Sequence, residues 1–156
     1  MTTVKHNHGF SLIEVLVAVI VFATGILGLA GLQMKSLSVL SNSHSMSTAM
    51  QASNDMADRM RSNPVAISDG YYDNIQQDID NPTADPACGS TCSSTQIAQF
   101  DAYAVFNNII DQLPEPTLSV TNVANNVFTI EITWLERSGT NTETKRHRVS
   151  FLPYNP

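Results

Sequence analysis

Between Phe10 and Gln33 only one side chain can ionise, Glu14, and the residues around it are almost all apolar. Written as a helix, such a run is about long enough to cross a hydrocarbon core of roughly 30 Å. A short polar stretch, Met-Thr-Thr-Val-Lys-His-Asn-His-Gly, occupies residues 1–9 ahead of it. A secretory signal is cut behind its apolar region, after a small-x-small triplet. Here the natural break lies before that region, between Gly9 and Phe10. A carboxylate left unpaired in lipid costs about 2.5–3.5 kcal/mol at a helix centre, so Glu14 calls for a cation. A cut between Gly9 and Phe10 would create one. The new α-amino group would lie about one helical turn from Glu14, within reach of it in a neighbouring, staggered subunit.

Gly9-Phe10-Ser11-Leu12-Ile13-Glu14, followed directly by the apolar run, resembles the class III signal of type IV pilins and of type II secretion pseudopilins. The resemblance implies that a prepilin peptidase cuts after Gly9 and methylates the amine of Phe10. It also implies that Glu14 is the glutamate that guides filament assembly. Gly25, Gly28 and Gly31 fall near one helical face, where small residues let helices approach closely. Each lowers helix propensity by about 1 kcal/mol relative to Ala, so close packing and local melting on leaving the membrane are both open roles. The run from Gly25 to Gln33 is similar to the minor pilins called type IV pilus modification protein, PilV.

Beyond Gln33 apolar residues recur at helical intervals, Met34, Leu37, Leu40, Met46, Met50, Ala57 and Met60, and predict an amphipathic continuation. Asp55 and Arg59 form an acid-before-base pair four residues apart. Asn63-Pro64 predicts the end of the helix at about Ser62. The methionines at 46, 50, 56 and 60 are expected to pack against a sheet rather than to bind metal. Residues 65–94 show little periodicity and read as a long loop. Its aspartates at 69, 73, 78, 80 and 85 lack the glycine and terminal Glu of a calcium loop. In an exported domain Cys88 and Cys92 are close enough to close a small disulfide loop. A zinc site needs more ligands than this pair and the sparse histidines provide.

Residues 95–112 place Ile97, Phe100, Ala104 and Ile109 on a stripe and predict a second, short helix. Strands are predicted over 117–120, 127–135 and 146–152, with turns at Asn125-Asn126 and Ser138-Gly139-Thr140-Asn141. The expected fold class is therefore α+β, the pilin fold. Its long N-terminal helix has a transmembrane first half, and it packs against a small antiparallel sheet with a short extra helix. The expected divisions are a leader at 1–9, a transmembrane and assembly helix at 10–33, an amphipathic second half at 34–62, and a head domain at 63–156 with strands in 117–152.

The formal charge of −6 is spread thinly, which argues against nucleic acid as a partner. The basic stretch Lys145-Arg146-His147-Arg148 is short and has no interleaved aromatics, so it reads as charge protecting an edge strand. No Gly-x-Ser-x-Gly, phosphate-binding loop or His-Glu-x-x-His is present, so neither an enzyme nor a cofactor is expected. The resemblance implies a minor pilin that primes or joins a type IV pilus and supports assembly, twitching motility and adhesion. The alternatives are a secretion pseudopilin and a filament-borne adhesin. Implied partners are other major and minor pilins, the prepilin peptidase, the inner-membrane assembly platform and, before assembly, membrane lipid. The implied location is the bacterial inner membrane as a single pass with a periplasmic head, then the pilus at the cell surface.

Overall fold

A computed structural model describes residues 9–80, 82, 84–89, 91–124, 127–138 and 141–153. Its first element is a single helix, α1, spanning Leu12–Ser62. The chain divides after Leu40 into two units, 1–40 and 41–156, each with its own packing.

In the first unit α1 begins beyond Ser11, whose carbonyl accepts from the amides of Glu14 and Val15 at 3.0 and 3.3 Å. Glu14 sits in the first turn, where a carboxylate complements the helix dipole. The side chains from Gly9 to Leu37 are all exposed, and this helix is long and apolar enough to cross a membrane. A helix that is apolar all round normally needs an apolar surrounding to cover it, and within the unit none does so.

The second unit holds the rest of α1, a short helix α2 (Pro64–Ser68), strand β1 (Asn74–Asp78), helix α3 (Ser94–Ile109) and strands β2 (Thr117–Ala124), β3 (Val127–Ser138) and β4 (Asn141–Phe151). The four strands form one antiparallel sheet in the order β1-β2-β3-β4. β3 shows the expected alternation. Phe128, Ile130, Ile132 and Trp134 are buried, while Thr129, Glu131 and Thr133 on the opposite face are only half-buried. The buried face joins Leu118 and Val120 of β2, Ala49, Ala52, Met56 and Met60 of α1, and Ala98, Ala102, Val105 and Ile109 of α3 in one core. The α+β class read from the sequence is the observed architecture.

The structure corrects several details. Residues 65–94 are not one loop, because they contain α2 and β1. Asn63-Pro64 both ends α1 and begins α2. The Asn63 side-chain oxygen caps the Ala66 amide at 3.4 Å, and Pro64 takes the first helical position, where a missing N–H costs nothing. β1 reads Asn-Ile-Gln-Gln-Asp and carries almost no apolar pattern. Its backbone pairing with β2, Asn74 opposite Thr121 through Asp78 opposite Thr117, holds it at the sheet edge. β2 and β4 run longer than predicted, since ladder pairing extends into polar residues.

α3 ends at Ile109 rather than 112, and its buried face follows Ala98, Asp101, Ala102, Val105 and Ile109. Ile97, Phe100 and Ala104 lie off that face. Met56 and Met60 are in the core as expected, but Met46 and Met50 are 40% and 46% exposed. The predicted turns at Asn125-Asn126 and Gly139-Thr140, and residues 1–8 of the predicted leader, lie outside the described residues.

Candidate functional site

Gly9, Phe10 and Ser11 precede the first turn of α1, so the peptide between Gly9 and Phe10 lies outside helical hydrogen bonding and both residues are exposed. Phe10, Glu14, Ala18 and Phe22 follow at steps of four, and with Val15 and Val19 they line one shallow apolar groove along the helix. Glu14 is the polar exception in that groove. Among the described residues its carboxylate has no hydrogen-bond or ion-pair partner. An apolar strip with an acid at its end is thus left, among the described residues, without a complement.

Gly25, Gly28 and Gly31 lie in the same helix, and a Cβ built at any of them would meet nothing within 4 Å. No neighbour inside the chain requires glycine there. The propensity cost, about 1 kcal/mol per glycine, is therefore not offset by intrachain packing. Between Val21 and these glycines, the Thr24 hydroxyl donates back to the Val21 carbonyl at 2.9 Å, which satisfies it without an external partner.

The second unit contains a buried polar network that sequence reasoning did not find beyond one pair. Arg59 donates to Asp55 at 2.9 Å, the predicted i,i+4 contact, and also to Asp101 at 3.4 Å. Asp101 accepts from the Tyr72 hydroxyl at 2.6 Å. Asn63 donates to Tyr72 at 3.3 Å and to the Ser94 carbonyl at 3.2 Å. Four segments are thereby tied together: the end of α1, the start of α2, the turn before β1, and α3. Burial, reinforced by the Asp101 carboxylate, raises the Tyr72 pKa well above its ordinary value, so its hydroxyl stays protonated and donating. Burial alone would lower Arg59, but hydrogen bonds and charges from Asp55 and Asp101 outweigh it and raise Arg59. The only signal available in advance was Asp101 falling on the apolar stripe of a helix.

Cys88 and Cys92 are joined as a disulfide in the segment between β1 and α3. α3 starts immediately afterwards through a capping box, with Ser93 and Gln96 exchanging side-chain and backbone hydrogen bonds. His44 is exposed. Among the described residues no three His, Cys, Asp or Glu side chains converge as metal ligands.

Two family matches abut along the chain. The Prokaryotic N-terminal methylation motif covers residues 4–30, and the family described as Type IV pilin Tt1218 covers residues 31–103. Each covers less than half of the chain, which is thus similar to type IV pilins in both stretches. The first match contains Gly9, Phe10, Glu14, Gly25 and Gly28. The second runs from Gly31 through the rest of α1, α2, β1 and the disulfide segment into α3, so strands β2 to β4 fall outside both. The pilins that this chain resembles are structural proteins, and an apolar N-terminal helix behind such a motif suggests membrane anchoring and pilus assembly. No curated protein and no solved structure matches it significantly.

Proposed function

We propose that this chain is a minor pilin of a type IV pilus, similar to the type IV pilus modification proteins, which primes or joins the filament and supports its assembly, twitching motility and adhesion. A peptidase cuts between Gly9 and Phe10 and methylates the new amine. Before assembly the chain is a single pass in the inner membrane with its head in the periplasm, and afterwards it is part of the surface filament. One observation carries the reading: among the described residues Glu14 has no partner, and it stands beside Phe10 on an apolar helix that no described residue of its unit covers.

In the filament the Glu14 carboxylate meets a Phe10 amine, its own or a neighbour's, and that attraction sets the stagger between helices. Moving an apolar helix from lipid to a bundle of similar helices gains little hydrophobic energy, so specificity comes from the charge pair and close packing at the glycines. The disulfide-closed segment stays on the head, where export makes such a bond durable.

The test is chromosomal Glu14→Ala, with the protein followed in membranes and in sheared filaments. The expected result is a cleaved chain that accumulates in the membrane and is lost from filaments. Filament incorporation equal to wild type would overturn the assembly role of Glu14.

A further inference from the structure

The sheet has a face that the core does not use. On β3 it carries Thr129, Glu131, Thr133, Leu135 and Arg137, and the register sets Ser150, Arg148, Arg146, Thr144 and Thr142 of β4 opposite them in turn. Thr121, Ser119 and Thr117 of β2 complete the same rows from the other side. Hydroxyls dominate this face, and neighbouring strands share them: Thr117 with Thr133 at 2.7 Å and Thr129 with Ser150 at 2.8 Å.

Its charges are unusual for this head. Arg59, Arg61, Lys145 and Arg148 each have a carboxylate partner, Arg148 donating to Glu131 at 2.7 Å. Arg137 and Arg146 are exposed and form no ion pair with any described residue. Both are on the hydroxyl face. Arg146 stands in the row of Thr133, so Arg137 is four residues further along β3, about 14 Å at roughly 3.4 Å per residue. Two free guanidinium groups have thus been kept together on a protein whose formal charge is −6.

We propose that this face binds an acidic polysaccharide. Guanidinium groups grip carboxylates through paired donors, and rows of Thr and Ser hydroxyls match the alternating donors and acceptors of sugar hydroxyls. The face has no aromatic side chain on which unpaired bases could stack, which disfavours single-stranded nucleic acid. It also lacks the central aromatic anchors typical of a protein interface. The net negative charge opposes general attraction of polyanions, so any binding must come from a local cationic patch. The site is independent of leader processing and filament assembly.

The experiment measures binding of the purified full-length chain, in nonionic detergent, to alginate as the polyuronate, with dextran and duplex DNA of matched length as competitors. Alginate should bind, weaken with added salt, and resist competition by either. Arg137→Ser and Arg146→Ser should each weaken it about tenfold, the loss of one charge-assisted pair. Lys35→Ser, in the first unit of the chain, should leave it unchanged. Absence of alginate binding, equal competition by dextran or DNA, or full binding by the double Arg137→Ser, Arg146→Ser variant would overturn the proposal. Unchanged Trp134 fluorescence would show that each variant head remains folded.

Discussion

Replacing Tyr72 with Phe removes a single oxygen from the middle of the buried network. Tyr72 is fully buried and Asp101 is 5% exposed, so water cannot readily replace the hydroxyl. Asp101 loses its 2.6 Å donor and keeps Arg59 at 3.4 Å, while Asn63 keeps only the Ser94 carbonyl as an acceptor for its amide. A hydrogen bond to a charged group contributes about 1.5–3 kcal/mol, and the ring itself is conserved. We expect Tyr72→Phe to destabilise the head by about 2 kcal/mol, roughly a thirtyfold shift in its folding constant.

The assay is denaturant unfolding of the full chain in nonionic detergent. Trp134, the single tryptophan and 3% exposed, reports on the head alone. The pH dependence gives an independent check. Because the folded state raises the Tyr72 pKa, the hydroxyl's contribution is complete below the ordinary value of 10.0 and is lost as pH rises above it. Above that pH the wild-type advantage should shrink, by up to about tenfold in the folding constant per pH unit. A variant within about 0.5 kcal/mol of wild type at neutral pH, or a gap that stays constant above pH 10.0, would refute the reasoning.

The same fluorescence assay separates two methionines that look alike in sequence. Met56→Ala should cost about 2–5 kcal/mol by leaving a cavity, whereas Met50→Ala, at a position 46% exposed, should stay within about 0.5 kcal/mol. In the assembly helix, Gly28→Leu should leave head stability unchanged, because no described residue beyond the helix's own adjoining turns lies within 4 Å of the added carbon. Filament incorporation of that variant should fall if the glycine serves packing between subunits, and an immunoblot of sheared filaments measures it.

Long, strongly periodic features were legible in the sequence because one physical pattern dominates each. The apolar run with Glu14 specified α1, Asn63-Pro64 specified its end, and strict alternation from Phe128 to Trp134 specified β3 and its buried face. β1 was not legible. Its five residues are held by backbone bonds to β2, which leave little trace in side-chain pattern. The stripe read on α3, through Ile97, Phe100 and Ala104, is offset from the buried face, which runs through Ala98, Asp101, Ala102 and Val105 and includes an acid. Burial is tolerated there only because Tyr72 and Arg59, distant in sequence, supply donors. Met46 and Met50 lie out of phase with Met56 and Met60, off the stripe of Ser45, Thr48, Ala49, Ala52, Ser53, Met56 and Met60 that the head buries.

The candidate site divides in the same way. Phe10, Glu14 and the glycines were found because their arrangement is contiguous in sequence. The two unpaired arginines required strand register, since Arg137 and Arg146 share a face only once β3 and β4 are aligned. The basic stretch containing Arg146 reads from sequence as edge protection, and the ladder divides it. Lys145 and His147 fall on the side of Trp134 and Ile132, while Arg146 and Arg148 fall on the hydroxyl face.

The most direct test of the account is the mass of the N-terminal peptide from the protein in sheared surface filaments of its native host, compared with that in membranes. The account predicts a filament chain that begins at Phe10 and carries one methyl group on its amine. A filament chain that begins elsewhere, or an uncut chain confined to the membrane, would contradict it.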